Sequence, residues 1–139
     1  MATRASIKFK DSDGNFIANV YHHYDGYPES LGVKLLELTK GKIVNGLGFN
    51  ITAPQVFNGF GCLTASVIEG LKEGPGGVYL YPEDEYGNVC EDYLYVVVEL
   101  ENGCNVFVMN RRRPVDMSTA STGAEFVPVE DILEKINNK

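Results

Sequence analysis

With 139 residues, 44% hydrophobic and 22% charged, the chain has the size and composition of one globular domain able to bury about two-thirds of its unfolded surface. A net charge of −7 and an isoelectric point near 4.8 argue against a generic binder of duplex nucleic acid, which needs a broad basic face. No run reaches the ~20 apolar residues of a membrane span, and the first residues carry no apolar stretch of the secretory kind.

Residues 3–10 alternate, with Ala5, Ile7 and Phe9 on one face and Arg4, Ser6, Lys8 and Lys10 on the other. That period of two predicts a half-buried strand. The segment from Asp11 to Asn15 supplies turn chemistry, and Phe16 to His22 alternates again, so the two runs predict an N-terminal hairpin. Pro28 to about Lys40 reads as a helix with Leu31, Leu35 and Leu38 along one stripe. Residues 41–61 have weak periodicity and read as loop with short irregular structure. A second helix is expected over 61–72, burying Leu63, Val67, Ile68 and Leu71.

From Val78 onward the pattern turns β-like, with runs at 77–81, 93–100 and 105–110 rich in β-branched and aromatic residues. Asn102-Gly103 is a hairpin signal between the last two. A polar loop is expected over 114–123, a short strand near 125–127 and a last helix over about 129–137. With no repeat and no linker, residues 1–139 read as a single α+β domain. The expected form is an antiparallel β-sheet with an N-terminal hairpin and two to three helices packed mainly on one face. The cysteines Cys62, Cys90 and Cys104 lack metal-ligand spacing and read as reduced, mostly buried thiols of a cytoplasmic protein.

The segment Tyr21-His22-His23-Tyr24-Asp25-Gly26-Tyr27-Pro28 holds both histidines and three of the eight tyrosines. Lying between a strand and a helix, it sits where scaffolds present binding groups. Adjacent strand residues point to opposite faces, so His22 and His23 are poor joint ligands for one ion; no metal and no cofactor is expected. No nucleophile motif is present, although a histidine oriented by Asp25 has the chemistry of a general acid–base pair. The plain alternative for this segment is a structural turn launching the helix.

Arg111, Arg112 and Arg113 stand in a row. In an extended strand Arg111 and Arg113 share a face, and two guanidinium forks there suit adjacent phosphates. Pairing with the chain's own carboxylates is the plain alternative. Tyr79, Tyr81, Tyr86, Tyr93 and Tyr95 crowd the region around Gly87-Asn88, with Tyr79 and Tyr81 on one strand face. Such rings suit stacking on a purine or covering a sheet face or subunit interface.

Three segments carry a resemblance: the start Met1-Ala-Thr-Arg4, the stretch from Tyr21 to Glu29 with its Asp25-Gly26-Tyr27-Pro28-Glu29 core, and Glu91-Asp-Tyr-Leu-Tyr95. On these the chain resembles small phage and prophage proteins, and more narrowly the first type of phage Thoeris anti-defence sponge. The likeness spans roughly the first 40 residues and the middle β region, and His23 departs from the residues that many relatives carry before the Asp-Gly-Tyr-Pro core. It implies a homo-oligomer, of a dimer or higher order, that binds without cleaving a cyclic ADP-ribose isomer made by TIR-domain enzymes. Some members are thought to capture cyclic oligonucleotides too.

For such a ligand Arg111 and Arg113 would hold phosphate and Tyr79 or Tyr81 would stack on adenine. Asn88, Asp92 or Asp25 would bond hydroxyls, with His23 and Tyr27 nearby in the motif. The expectation is therefore a non-enzyme with no membrane or duplex nucleic-acid partner. The rival classes are a protein-binding inhibitor of a host defence effector and a small phosphodiesterase.

Overall fold

The computed structural model describes residues 3–40, 43–44, 56–57, 59–81, 92–101, 103–110 and 126–137. Strands β1 (Ala5–Lys10) and β2 (Phe16–His22) form the expected hairpin, paired from Ala5 with His22 to Lys10 with Phe16. Its turn is locked by the Asp11 side chain, whose Oδ1 accepts from the backbone N–H groups of Asp13 (3.0 Å) and Asn15 (2.9 Å). Gly14 takes φ +88° there, a conformation that glycine adopts without steric cost.

After the hairpin the chain makes a wide π-type turn, Pro28–Gly32, which runs directly into α1 (Val33–Thr39). The Val33 N–H reaches back to the Pro28 carbonyl, and proline fits this first position because it has no N–H to leave unpaired. Helix α2 (Phe60–Leu71) follows. Phe60, Leu63, Thr64, Val67 and Leu71 are its buried residues, a spacing of three and four that lays one stripe on the sheet. Between the helices, residues 43–44 (β3) and 56–57 (β4) pair in parallel as a separate ribbon.

Strands β5 (Val78–Leu80), β6 (Tyr93–Glu99), β7 (Cys104–Asn110) and β8 (Val127–Pro128) complete the main sheet, and α3 (Val129–Asn137) ends it. The order across the six strands is β5-β2-β1-β6-β7-β8. The α+β class, the single domain and the N-terminal hairpin are as expected. The sheet itself is mixed: β1 runs parallel to β6, from Ala5 beside Tyr93 to Lys10 beside Val98, and its other pairs are antiparallel. The parallel pair requires a long crossover, which the helices and β5 provide.

One face of this sheet carries the core. Ala5, Ile7, Phe9, Val20, Tyr95, Val97, Val106 and Val108 pack against Leu31, Leu35, Phe60, Leu63, Val67 and Val129, so α1, α2 and α3 lie on that side. Because β1 is central, its polar face is also covered: Ser6 is 9% and Lys8 4% exposed. The expected solvated edge of β1 is thus interior. The thiols differ from expectation as well. Cys104 is half-buried but Cys62 is exposed on α2, both are free, and Cys90 lies outside the described residues. Among the described residues no helix is long and apolar enough to cross a membrane.

Candidate functional site

The histidine-tyrosine segment wraps around the β2 edge of the sheet, and strand parity divides it. Tyr21 faces away from the helices, opposite Ser6 of β1 and Tyr79 of β5. His22 pairs with Ala5 and Val78 and faces the helix side. His23, just past the strand, returns to the side of Tyr21. The two histidines therefore serve different surfaces, as their spacing predicts.

On the face opposite α1, α2 and α3, Tyr21 is the hub of an aromatic cluster. Its hydroxyl lies 2.7 Å from His23 Nδ1, and the phenol donates this bond when the imidazole proton is on Nε2. Around the Tyr21 ring stand His23 at 5.7 Å, Tyr79 at 6.2 Å and Tyr81 edge-on at 5.9 Å between centroids. His23 in turn meets Tyr24 edge-to-face at 4.6 Å. Contacts of this type contribute ~0.5–1.5 kcal/mol each beyond their burial. Tyr21 itself is buried, while Tyr79 (47%) and Tyr24 (59%) remain open to solvent, so the cluster has a rigid centre and accessible rings.

Charged groups border these rings. The Arg4 N–H donates to Asp92 Oδ2 (2.9 Å), and the Asp92 N–H donates to the Arg4 carbonyl (2.8 Å). This exchange fixes both residues at the start of β1 and β6. Burial pushes the Tyr21 phenol above its ordinary pKa, while the Arg4 guanidinium pulls against that shift and Tyr81 and Asp92 reinforce it. Tyr21 thus stays a protonated donor, unsuited to act as an anionic nucleophile at neutral pH. On the far side, the Lys72 ammonium lies 5.6 Å from the Tyr79 ring centroid. It is held by the carbonyls of Gly76 (3.0 Å) and Val78 (2.8 Å).

The helix side of the same edge holds a cleft of about 430 Å³ lined by His22, Tyr24, Asp25, Ser30, Lys34 and Glu73, among others. Asp25 adopts φ +53°, which turns the chain sharply at the cleft mouth. His22 Nδ1 is buried without a hydrogen-bond partner. Burial holds the His22 pKa below the ordinary histidine range, ahead of the opposing influences of the Tyr24 backbone and of Asp25. Lys34 and Glu73 make only a loose pair at 3.9 Å.

Two contacts pin the loop between these surfaces. The fully buried Tyr95 donates its hydroxyl proton to the Gly26 carbonyl at 2.7 Å, and the Gly26 N–H donates to the Thr3 carbonyl at 2.9 Å. A Cβ at residue 26 would lie 2.8 Å from Ala5 Cβ and 3.0 Å from Thr3 O. Only glycine fits that close approach of backbone to backbone.

Of the expected site residues, His23, Tyr79, Tyr81 and Asp92 gather around Tyr21. Asp25 lines the opposite cleft, and Tyr27 is 37% exposed at the entry to the π turn. Asn88, Arg111 and Arg113 lie outside the described residues. Tyr93 and Tyr95, grouped with Tyr79 and Tyr81 in the sequence, face the core instead. Arg4, Tyr21 and Lys72 are not among the expected site residues. For Tyr21 a signal existed, since it stands two residues before His23 and so shares its strand face; Arg4 reaches the cluster only through the β1–β6 pairing. No cluster of three or more His, Cys, Asp or Glu side chains suited to a metal ion occurs among the described residues. The chain matches no protein-family model, and neither a curated protein nor a solved structure matches it.

Proposed function

We propose that this protein binds a small cyclic nucleotide-type signal molecule and sequesters it intact, in the manner of the phage anti-defence sponges it resembles. The observation that carries this reading is the aromatic cluster on the face opposite α1, α2 and α3. Exposed phenol rings at Tyr79 and Tyr24, a fixed hub at Tyr21, and cations at Arg4 and Lys72 supply the groups that a purine and a phosphate require. Stacking on such rings contributes ~1–3 kcal/mol per base. Tyr79 or Tyr81 takes the adenine, Asp92 a ribose hydroxyl, and Arg111 and Arg113 the diphosphate. The preferred ligand is a cyclic ADP-ribose isomer made by TIR-domain enzymes, with cyclic oligonucleotides as further candidates, in the cytoplasm of a bacterial host.

Sequestration demands tight binding. A nanomolar Kd corresponds to about −12 kcal/mol, which for so small a ligand needs near-complete enclosure. A second subunit closing over the open rings provides it. Tyr79 and the 68% exposed Leu80 lie on β5, one of the two edge strands among the described residues, where such a subunit would dock.

The test is to incubate the protein with the cyclic ADP-ribose isomer, measure binding by calorimetry, denature the complex and weigh the released ligand. Intact ligand is expected; an altered mass would make the protein a phosphodiesterase. Tyr81→Ala should weaken binding by roughly 5- to 150-fold, as expected for loss of one stacked base. Absence of binding to any cyclic nucleotide would overturn the proposal and favour an inhibitor acting on a defence protein through its acidic surface.

A further inference from the structure

The cleft on the helix side of the β2 edge, about 430 Å³, has a size in the range of small-molecule sites, ~300–1,000 Å³. Its walls come from two unbroken described segments, 3–40 and 59–81. One wall is the turn that leads from His22 past Asp25 into the helix carrying Lys34. The other is the end of α2 at Leu71 and the glycine-rich loop that follows, up to Val78. Leu31, Leu71 and Val78 are buried side chains of this lining, 2%, 4% and 8% exposed, and give the cleft an apolar component.

Charges of both signs line it: Asp25, Lys34 and Glu73. All three act electrostatically on His22, which gathers them around one ring. Lys34 Nζ and Glu73 Oε1 stand 3.9 Å apart, too far for a hydrogen bond, on side chains 44% and 85% exposed. A pair of that kind adds little stability and opens readily. Asp25 makes no ion pair and no side-chain hydrogen bond among the described residues. Its place is nonetheless fixed. It is the one non-glycine residue with positive φ among the described residues, and Gly26 beside it is bonded to Tyr95 and to Thr3. Strained backbone held by its surroundings gathers at ligand sites. An ammonium would give Asp25 a partner, and a carboxylate would draw Lys34 from its loose pair. A lone anion would face two carboxylates for one ammonium, and so would a nucleotide phosphate. A lone cation would use only one of the two opportunities.

We propose that this cleft binds a free α-amino acid with a large apolar side chain, its ammonium at Asp25, its carboxylate at Lys34 and its side chain against Leu31, Leu71 and Val78. The site lies on the other side of the sheet edge from the Tyr21 hub and does not depend on the nucleotide reading. Four probes are compared by calorimetry or NMR titration: L-phenylalanine, 3-phenylpropionate without the ammonium, phenethylamine without the carboxylate, and glycine without the side chain. L-Phenylalanine is expected to bind roughly fivefold or more tightly than either truncated analogue, between the value of an exposed ion pair and that of a charge-assisted hydrogen bond. Glycine is expected not to bind measurably.

Two variants assign the charged ends without threatening the fold. Asp25→Asn keeps the shape of the side chain and suits positive φ; it should erase the advantage of L-phenylalanine over 3-phenylpropionate. Lys34→Gln, at a partly exposed helical position, should erase its advantage over phenethylamine. Three results would each overturn the assignment: no binding of L-phenylalanine, an affinity for either analogue equal to that for L-phenylalanine, or unchanged L-phenylalanine binding in either variant.

Discussion

Replacing Tyr95 by phenylalanine removes one oxygen atom from the centre of the molecule and nothing else. The side chain is 0% exposed and its hydroxyl donates to the Gly26 carbonyl at 2.7 Å. The ring itself can stay in place, so the packing term is unchanged. What is lost is one buried hydrogen bond, and what is left is a carbonyl deprived of its donor. A net cost of about 1–3 kcal/mol follows. For a domain of this size each kcal/mol lowers Tm by about 3–5 °C. Urea titrations should place the midpoint lower with an unchanged slope, since the buried surface is the same. The loss should also have an address: the Gly26 amide, bonded to Thr3 O at 2.9 Å, should exchange its hydrogen faster in the variant. A stability change below about 0.5 kcal/mol, or a loss with no change in exchange at Gly26, would show that this bond does not hold the loop.

Further outcomes concern acid sensitivity and thiol reactivity. Because burial depresses the His22 pKa, the unfolded chain binds that proton more readily. The stability contributed by neutral His22 is complete above the unfolded value of ~6.5 and declines as pH falls toward the depressed folded value. Melting curves between pH 5 and 7 should be steeper in pH for the natural protein than for His22→Gln, and parallel profiles would refute the assignment. For the cysteines, burial pushes the Cys104 thiol up to about 12, whereas Cys62 is exposed. Iodoacetamide labelling followed by peptide mapping should mark Cys62 in the folded protein and Cys104 only after denaturation, because the thiolate is the reacting form. Prompt labelling of Cys104 would contradict its placement.

Local patterns were sufficient to read the hairpin, the apolar stripe of α2 and the last helix. Alternation of Ala5, Ile7 and Phe9 and the leucine spacing around Leu31 and Leu35 are consequences of periodicity alone. Pairing partners are not. Nothing in the alternation of β1 says that its second neighbour is β6, and the same alternation misplaced Lys8 and Ser6 on a solvated face. The π-type turn at Pro28–Gly32 has the sequence of an ordinary helix start, because proline at a first turn suits both. At the candidate site, the two-residue spacing of Tyr21 and His23 made their common face legible. The presence of Arg4 and Asp92 beside them was not, since those residues arrive through the tertiary pairing of distant strands.

The central position of the first strand also bears on how the chain comes off the ribosome. Arg4 and Asp92 are 88 residues apart in sequence yet bonded to each other. The opening hairpin can close early, but one flank of its inner strand stays unpartnered until β6 has been synthesised. Long-range pairing of this kind slows folding and leaves a strand edge open to other chains meanwhile. Nascent fragments that stop short of Tyr93 should therefore aggregate or recruit chaperones, whereas chains that extend past Glu99 gain the neighbour that shields this flank.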